Sequence, residues 1–330
     1  MPPLGFGFQT DGPLLGRANN PWDTNRTPGG STGGGAAAVA AGLSPLETGS
    51  DFGGSIRIPA HFCGVYGLKP TEHRVSAAGD TPEPPGMGRR VRHMAVAGPL
   101  ARSVEDLRLC LSRVEGADGR QWEVPPAPSR DTSQRPCTTP ESWTDGFGGV
   151  PVSAEIRAAL EGLAGQLAEM GCQVERRDPP GLDFAAVTPA FRAVAGFEAS
   201  PLLPRRIEFL VRLQTRVTAG DAYVQGLNHR DALIARMEQF FVDWDAWLCP
   251  AATVSAFSHR KPGVPIEVDG QRVAYGAAGS HYTTIFTVTG NPVVTLPIAQ
   301  SSEGLPIGAQ LAGRRWGDME LLNLAARSPR

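Results

Sequence analysis

The stretch Arg26–Pro70, RTPGGSTGGGAAAVAAGLSPLETGSDFGGSIRIPAHFCGVYGLKP, carries two Gly-Gly-Ser turns, at Ser31 and Ser55, on either side of an Ala-rich segment. A serine on a glycine turn ahead of a helix is a common way to present a nucleophile. Neighbours without Cβ atoms let a substrate carbonyl approach main-chain N–H groups closely. The Ala-rich run Gly35–Gly42 predicts about two turns of helix, and Leu46–Ser50 a short strand feeding the turn Asp51–Ser55. Ile56–Pro59 leads away into regular structure, and Phe62–Leu68, apolar and small, reads as a buried strand or core loop.

Outward from this block the pattern continues to mix helices with short strands. Residues 1–28 are rich in Gly, Pro and Asn and read as loops, with at most a short strand near Gly5–Gln9. Ser103–Val114 has apolar residues at helical spacing behind a serine cap. Ser153–Met170 is amphipathic and closed by Gly171, ahead of a strand at Cys172–Arg176. Leu202–Ala219, Asp221–Val242, Gly276–Val288 and Gly317–Ala326 predict further helices, and Trp247–Pro250 a strand. Pro292–Pro297 and Ile307–Leu311 form a Gly-turned β pair. The alternation implies an α/β fold. Gln121–Glu141 differs from its surroundings: rich in Pro, Ser and Thr and without periodicity, it reads as a linker or disordered loop.

Composition narrows the functional class. A hydrophobic share of 41% against 19% charged residues belongs to a folded globular chain rather than a disordered one. The net charge of −2 gives no electrostatic reason to expect nucleic acid or an anionic membrane as partner. No apolar run approaches the ~18 residues of a membrane span. Cys63, Cys110, Cys137, Cys172 and Cys249 are scattered and contain no Cys-x-x-Cys pair. That argues for reduced thiols in a cytoplasm and against a disulfide framework or a metal site. Of 31 basic residues only Lys69 and Lys261 are lysine, so only these two could act as a lysine base.

A serine attacking a carbonyl needs a base for its proton, donors for the oxyanion and an acid for the leaving group. Ser55 is the better nucleophile, because Phe52, Gly53 and Gly54 can turn their N–H groups into one nest beside it. Other readings of the same residues are weaker. GGSTGGG could cradle a phosphate but lacks the closing Gly-Lys-Ser/Thr. Gly29–Gly33 spells Gly-x-Ser-x-Gly, yet no apolar strand precedes it. None of the histidines (61, 73, 93, 229, 259, 281) sits in a recognisable triad motif.

The paired serine turns resemble the amidase signature family, and so do NPWDTNRTPGG (20–30), GSDFGGSIRIPAHFCGVYGLKPT (49–71), GPLARSVEDL (98–107), DAWLCPA (245–251) and the closing TGNPVVTLPI…GLPIGAQLAGRRWGDMELLNLA. The resemblance implies a mixed β-sheet flanked by helices on both faces and one amidase domain over 1–330, interrupted at 121–141. It also implies a small-molecule amide as substrate and no cofactor or metal. By position, Ser55 becomes the acyl-enzyme nucleophile, and Ser31 the serine after a cis peptide bond, relaying a proton to a lysine. Phe52, Gly53 and Gly54 become the oxyanion hole, Asp51 and Arg57 the ionic supports of that loop, and Thr32 a neighbouring hydrogen-bonding hydroxyl.

Two departures shape the expectation. The family's catalytic lysine lies in a Lys-Asp motif N-terminal to the first serine, and residues 1–30 hold no lysine. Lys69, in GLKPT, matches a structural segment of the family. Gln121–Glu141 stands where the family has a strand ahead of Trp143–Val150. The chain is therefore expected to be an N-terminally truncated member lacking the N-terminal strand and helices. The function expected is hydrolysis of a linear carboxamide. The alternatives are a catalytically inactive remnant and the glutamine-hydrolysing chain (the A component) of an aminoacyl-tRNA amidotransferase, which would need partner chains. Ile58 in SIRIP and the loop Asp80–His93 favour the stand-alone amidase. Nothing in the sequence fixes an oligomeric state.

Overall fold

The computed structural model describes residues 7–12, 16–80, 91–126, 140–199 and 219–328. A small hairpin, β1 (Asp11–Gly12) and β2 (Gly16–Arg17), precedes the first serine turn. The chain then runs through α1 (Gly33–Ala40), β3 (Leu46–Asp51), α2 (Arg57–Cys63), β4 (Tyr66–Lys69), β5 (Val96–Ala101) and α3 (Val104–Val114). Next come β6 (Pro140–Trp143), α4 (Ala154–Glu169), β7 (Gln173–Arg176) and α5 (Phe184–Ala199). The C-terminal part holds α6 (Ala219–Asp243), β8 (Ala246–Pro250), the hairpin β9 (Ile266–Val268) and β10 (Gln271–Val273), and α7 (Tyr275–Thr289). It closes with β11 (Val293–Gln300), β12 (Pro306–Gly313) and α8 (Asp318–Ala325).

One mixed sheet of eight strands, in the order β3-β5-β4-β11-β12-β8-β6-β7, organises the chain. β12 is buried along its whole length, as is the first half of β11. Their near-continuous apolar runs therefore sit in the middle of the sheet, covered on both faces. The pairs β3–β5, β4–β5, β4–β11, β11–β12 and β12–β8 are antiparallel, whereas β6 runs parallel to both β7 and β8. Trp247 of β8, Phe286 of α7 and Leu311 of β12 belong to the largest core cluster.

Most expected elements appear within a residue or two, and local chemistry explains their ends. In α3, Ser103 accepts the Asp106 N–H at 3.1 Å, with Glu105 and Asp106 in the positive first turn. Ser153 precedes α4 without such a bond; the Asp269 carboxylate takes the Ala154 N–H at 2.8 Å instead. Phe62–Leu68 is a correction, since α2 extends through Cys63 before β4 begins at Tyr66. Gly64 makes the break at φ +68°, and a Cβ there would meet the Pro306 ring at 2.9 Å. Residues 7–9 are not a strand, although Gln9 is buried and donates to Arg260 O at 2.7 Å.

The segment read as a linker is also corrected at its ends. Gln121 and Val124 are buried, and Pro140–Trp143 is a sheet strand, so the strand ahead of Trp143–Val150 is present. Residues 127–139, Cys137 among them, lie outside the described residues, as does the helix expected at Leu202–Ala219 up to Thr218; Ala219 opens α6. Helix α5 escaped the sequence reading because Pro189 interrupts it and its buried face is mostly Ala and Val. Cys63, Cys110, Cys172 and Cys249 are buried and outside any disulfide. Among the described residues, no helix is long and apolar enough to cross a membrane.

Candidate active site

Ser55 occupies the turn between β3 and α2, and the turn is built on one carboxylate. Asp51, the last residue of β3, is fully buried. Its Oδ1 accepts N–H groups from Gly54 at 2.8 Å and Gly53 at 3.3 Å, and its Oδ2 accepts from Ile56 at 3.1 Å. The chain thus folds around its own side chain. Arg57, also fully buried, closes the cage by donating Nε to Oδ2 at 3.0 Å and Nη2 to Oδ1 at 2.8 Å. Its remaining donors reach Thr283 O at 2.7 Å, Gln310 Oε1 at 3.0 Å and Thr287 Oγ1 at 2.9 Å. All five guanidinium hydrogens are therefore placed. Burial alone would raise the Asp51 pKa, but Arg57 outweighs it and holds the group down at about 2.

This arrangement bears on the main-chain amides expected to bind an oxyanion. The Gly54 N–H is directed at Asp51, and that of Gly53 is held more loosely by the same oxygen. Gly54 has φ +112°, and a Cβ on it would lie 2.6 Å from both Thr283 Oγ1 and Ile58 Cδ1. Gly54 therefore shapes the turn, leaving Phe52, Gly53 and Ser55 as the more available amides. The hydroxyl of Thr283 also donates to Gly53 O at 2.8 Å, tying the nest to α7.

The Ser31 turn stands against the Ser55 turn. The Thr32 N–H donates to Ser55 O at 3.1 Å, so the two turns are in direct contact, and the Gly30–Ser31 peptide bond is cis. Ser31 is buried, whereas Ser55 is half-exposed. Thr32 makes its link through the main chain; its Oγ1 is buried without a protein partner, and Thr32 packs against Gly49. Thr10 Oγ1 donates to Gly29 O at 2.9 Å, and the Asn20 side chain donates to Phe62 O at 2.8 Å, fixing the approach to Ser31 on α2. Each serine lies two residues before a helix, Ser31 before α1 and Ser55 before α2.

The other candidate bases are placed elsewhere. Lys69, at the end of β4, is fully buried and donates to Asn291 O at 2.8 Å and Pro70 O at 3.1 Å. Burial, reinforced by Arg57, lowers its pKa to about 7. Lys261 is exposed in a loop. His61 is fully buried, with Nδ1 accepting the Gly308 N–H at 2.6 Å and Nε2 donating to Val254 O at 3.1 Å. Burial pushes its pKa down to about 4, so it is a neutral structural bridge. His93 and His281 contact Glu198 and the Phe147 carbonyl, respectively.

The family model Amidase matches residues 1–322. The chain belongs to the amidase signature family. Members of this family hydrolyse carbon–nitrogen bonds of amides. The Mycobacterium bovis protein named amidase AmiB2 is 32% identical over 335 residues, covering 96% of this chain and 68% of that protein. The A component of glutamyl-tRNA(Gln) amidotransferase from Acinetobacter baylyi is 28% identical, covering 98% of this chain and 70% of the relative. Among solved structures, 6-aminohexanoate cyclic dimer hydrolase matches at a TM-score of 0.81 and 28% identity, over 98% of this chain and 72% of that one. The mixed sheet with flanking helices is thus the amidase signature fold.

Within this amidase, the sequence located both serine turns and the Asp51–Arg57 pair. It did not reveal Thr283, Thr287 and Gln310, the acceptors that complete the Arg57 shell from α7 and β12. Thr283 and Thr287, four residues apart and so on one face of α7, were the available signal. Phe191 of α5, whose ring lies 5.7 Å from that of Phe52, carried none.

Proposed function

We propose that this amidase hydrolyses a linear carboxamide through an acyl-enzyme on Ser55. Ser55 Oγ attacks the carbonyl carbon while its proton passes to Ser31, which at the same time gives up its own hydroxyl proton to a base. The carbonyl oxygen becomes an oxyanion held by main-chain N–H groups at Phe52, Gly53 and Ser55. Such preorganised donors are worth about 3–4 kcal/mol of transition-state stabilisation each. The C–N bond then breaks, the leaving amine takes a proton through Ser31, and water cleaves the Ser55 ester by the reverse relay. The resemblance supplies a neutral lysine as the final proton acceptor, in a Lys-Asp segment for which residues 1–30 offer no match.

The observation that supports this reading best is the 3.1 Å bond from the Thr32 N–H to Ser55 O, which seats the relay turn against the nucleophile turn. A fluorophosphonate probe tests it. Labelling at Ser55, lost in Ser55→Ala and slowed in Ser31→Ala, is expected. Labelling of Ser31 that spares Ser55 overturns the assignment, and a protein that neither labels nor hydrolyses amides is the inactive remnant. Robust turnover that disappears in Lys69→Met would move the base to Lys69. A second reading, glutamine amide hydrolysis within a multichain amidotransferase, draws on the similarity to the glutamyl-tRNA(Gln) amidotransferase relative; copurification of partner chains from the native cell tests it.

A further inference from the structure

Helix α5 packs an aromatic side chain against the Phe52–Gly53 end of the serine turn. The Phe191 ring packs on Phe52 with centroids 5.7 Å apart and planes tilted by 55°. It also comes within 3.9 Å of the point where a Cβ on Gly53 would stand. Both phenylalanines are only partly buried, as are Gly53 and Ser55, so this apolar corner opens to solvent beside the nucleophile. Helix α5 is fixed at its far end, where the buried Glu198 accepts the Arg92 N–H at 2.7 Å, the His93 N–H at 3.0 Å and the Tyr223 hydroxyl at 2.9 Å.

The two ends of the Ser55 turn face different neighbours. The Ser31 turn meets it through Ser55 O, whereas Phe191 meets it at Phe52 and Gly53. A leaving amine must lie toward Ser31 to collect its proton, so the acyl substituent is directed the opposite way. We propose that Phe191 is a specificity-determining residue that, with Phe52, forms an apolar acyl subsite selecting aryl and longer alkyl carboxamides over acetamide and over the polar acyl chain of glutamine. This rests on Ser55 being the nucleophile.

The test compares benzamide with acetamide and glutamine in the full chain. Wild type is expected to prefer benzamide in kcat/KM by roughly tenfold or more, the range an apolar pocket gives for a few extra carbons. Phe191→Ala should bring that ratio close to one, and Phe191→Leu should retain part of it. A ratio unchanged in Phe191→Ala overturns the proposal, as does an equal loss on all three substrates in a variant of native circular dichroism. A binding arm separates failure of the subsite from failure of the catalytic reading. Calorimetry on Ser55→Ala protein should show benzamide binding more tightly than acetamide, and the added Phe191→Ala change should abolish the difference. Equal binding of the two amides overturns the proposal even where the enzyme turns over, and the expected binding difference upholds the subsite even where no turnover is seen.

Discussion

The two serine turns are in direct hydrogen-bonded contact, yet they are held by different means. The Ser55 turn wraps a buried ion pair in which Asp51 and Arg57 engage each other and the surrounding main chain. The Ser31 turn is held by neutral hydrogen bonds and close contact: Thr10 Oγ1 donates to Gly29 O at 2.9 Å, Thr32 packs against Gly49, and a Cβ on Gly30 would stand 2.3 Å from Gly7 O. A charged cage fixes geometry strongly but fails badly when one partner is lost, because the other remains buried and unpaired. A turn held by small residues tolerates loss of a hydroxyl but not added volume. The difference matches the proposed roles, an oxyanion nest needing fixed N–H directions and a relay needing only proximity.

The largest expected break is Arg57→Met. It leaves the Asp51 carboxylate buried and uncompensated, and about 3–5 kcal/mol of stability should be lost, read as a lower urea midpoint. Adding Asp51→Asn to that variant should restore a substantial part of the loss, since the unpaired carboxylate is then gone from the turn. Gly54→Ala comes next, at about 3 kcal/mol, combining a strained φ with a 2.6 Å approach to Thr283 Oγ1. Its labelling rate by fluorophosphonate should fall more than that of a Gly34→Ala control, where a Cβ meets nothing within 4 Å.

Acid should expose the cage without mutation. The Asp51 pKa of about 2 lies below its unfolded value near 3.8, so its stabilisation is present in full above pH ~4 and lost as pH falls toward 2. The contribution is about 2 kcal/mol, and unfolding curves for Asp51→Asn should lack that acid slope. His61 acts at higher pH. Its folded pKa of about 4 lies below the unfolded 6.5, so stability should decline as pH drops through that window and decline less in His61→Gln. The smallest effect is expected on the other turn. Thr32→Val removes a hydroxyl that has no protein partner and keeps the methyl packed on Gly49, so the urea midpoint should stay level or rise by the equivalent of ~1 kcal/mol. A fall comparable to that of Arg57→Met would erase the contrast between the turns.

Much of this was legible in residue order because the forces involved are local. Ser103 announces α3, the Ala run announces α1, and Asp51 followed six residues later by Arg57 already contains both halves of the cage. Ser31 and Ser55 could be named because glycine turns are written directly in composition. The misreadings came where local signals were ambiguous. An apolar run such as Phe62–Leu68 fits helix and strand equally until Gly64 divides it, and Pro189 conceals a helix held by its neighbours.

Residue order alone establishes the two serine turns and the carboxylate on which one of them folds, since each depends on residues within a few positions of one another, and it establishes the family through matching segments spread in order along the chain. Tertiary structure alone decided what surrounds them. Arg57 reaches acceptors more than 220 residues away on α7 and β12, and Phe191 reaches Phe52 from a separate helix. The same folding turned Lys69 from a candidate base into a buried amine held by two main-chain carbonyls. Periodicity and turn chemistry record what a residue does to its own backbone. Which distant side chain completes a shell depends on how the sheet orders its strands, and no short stretch of the chain encodes that order.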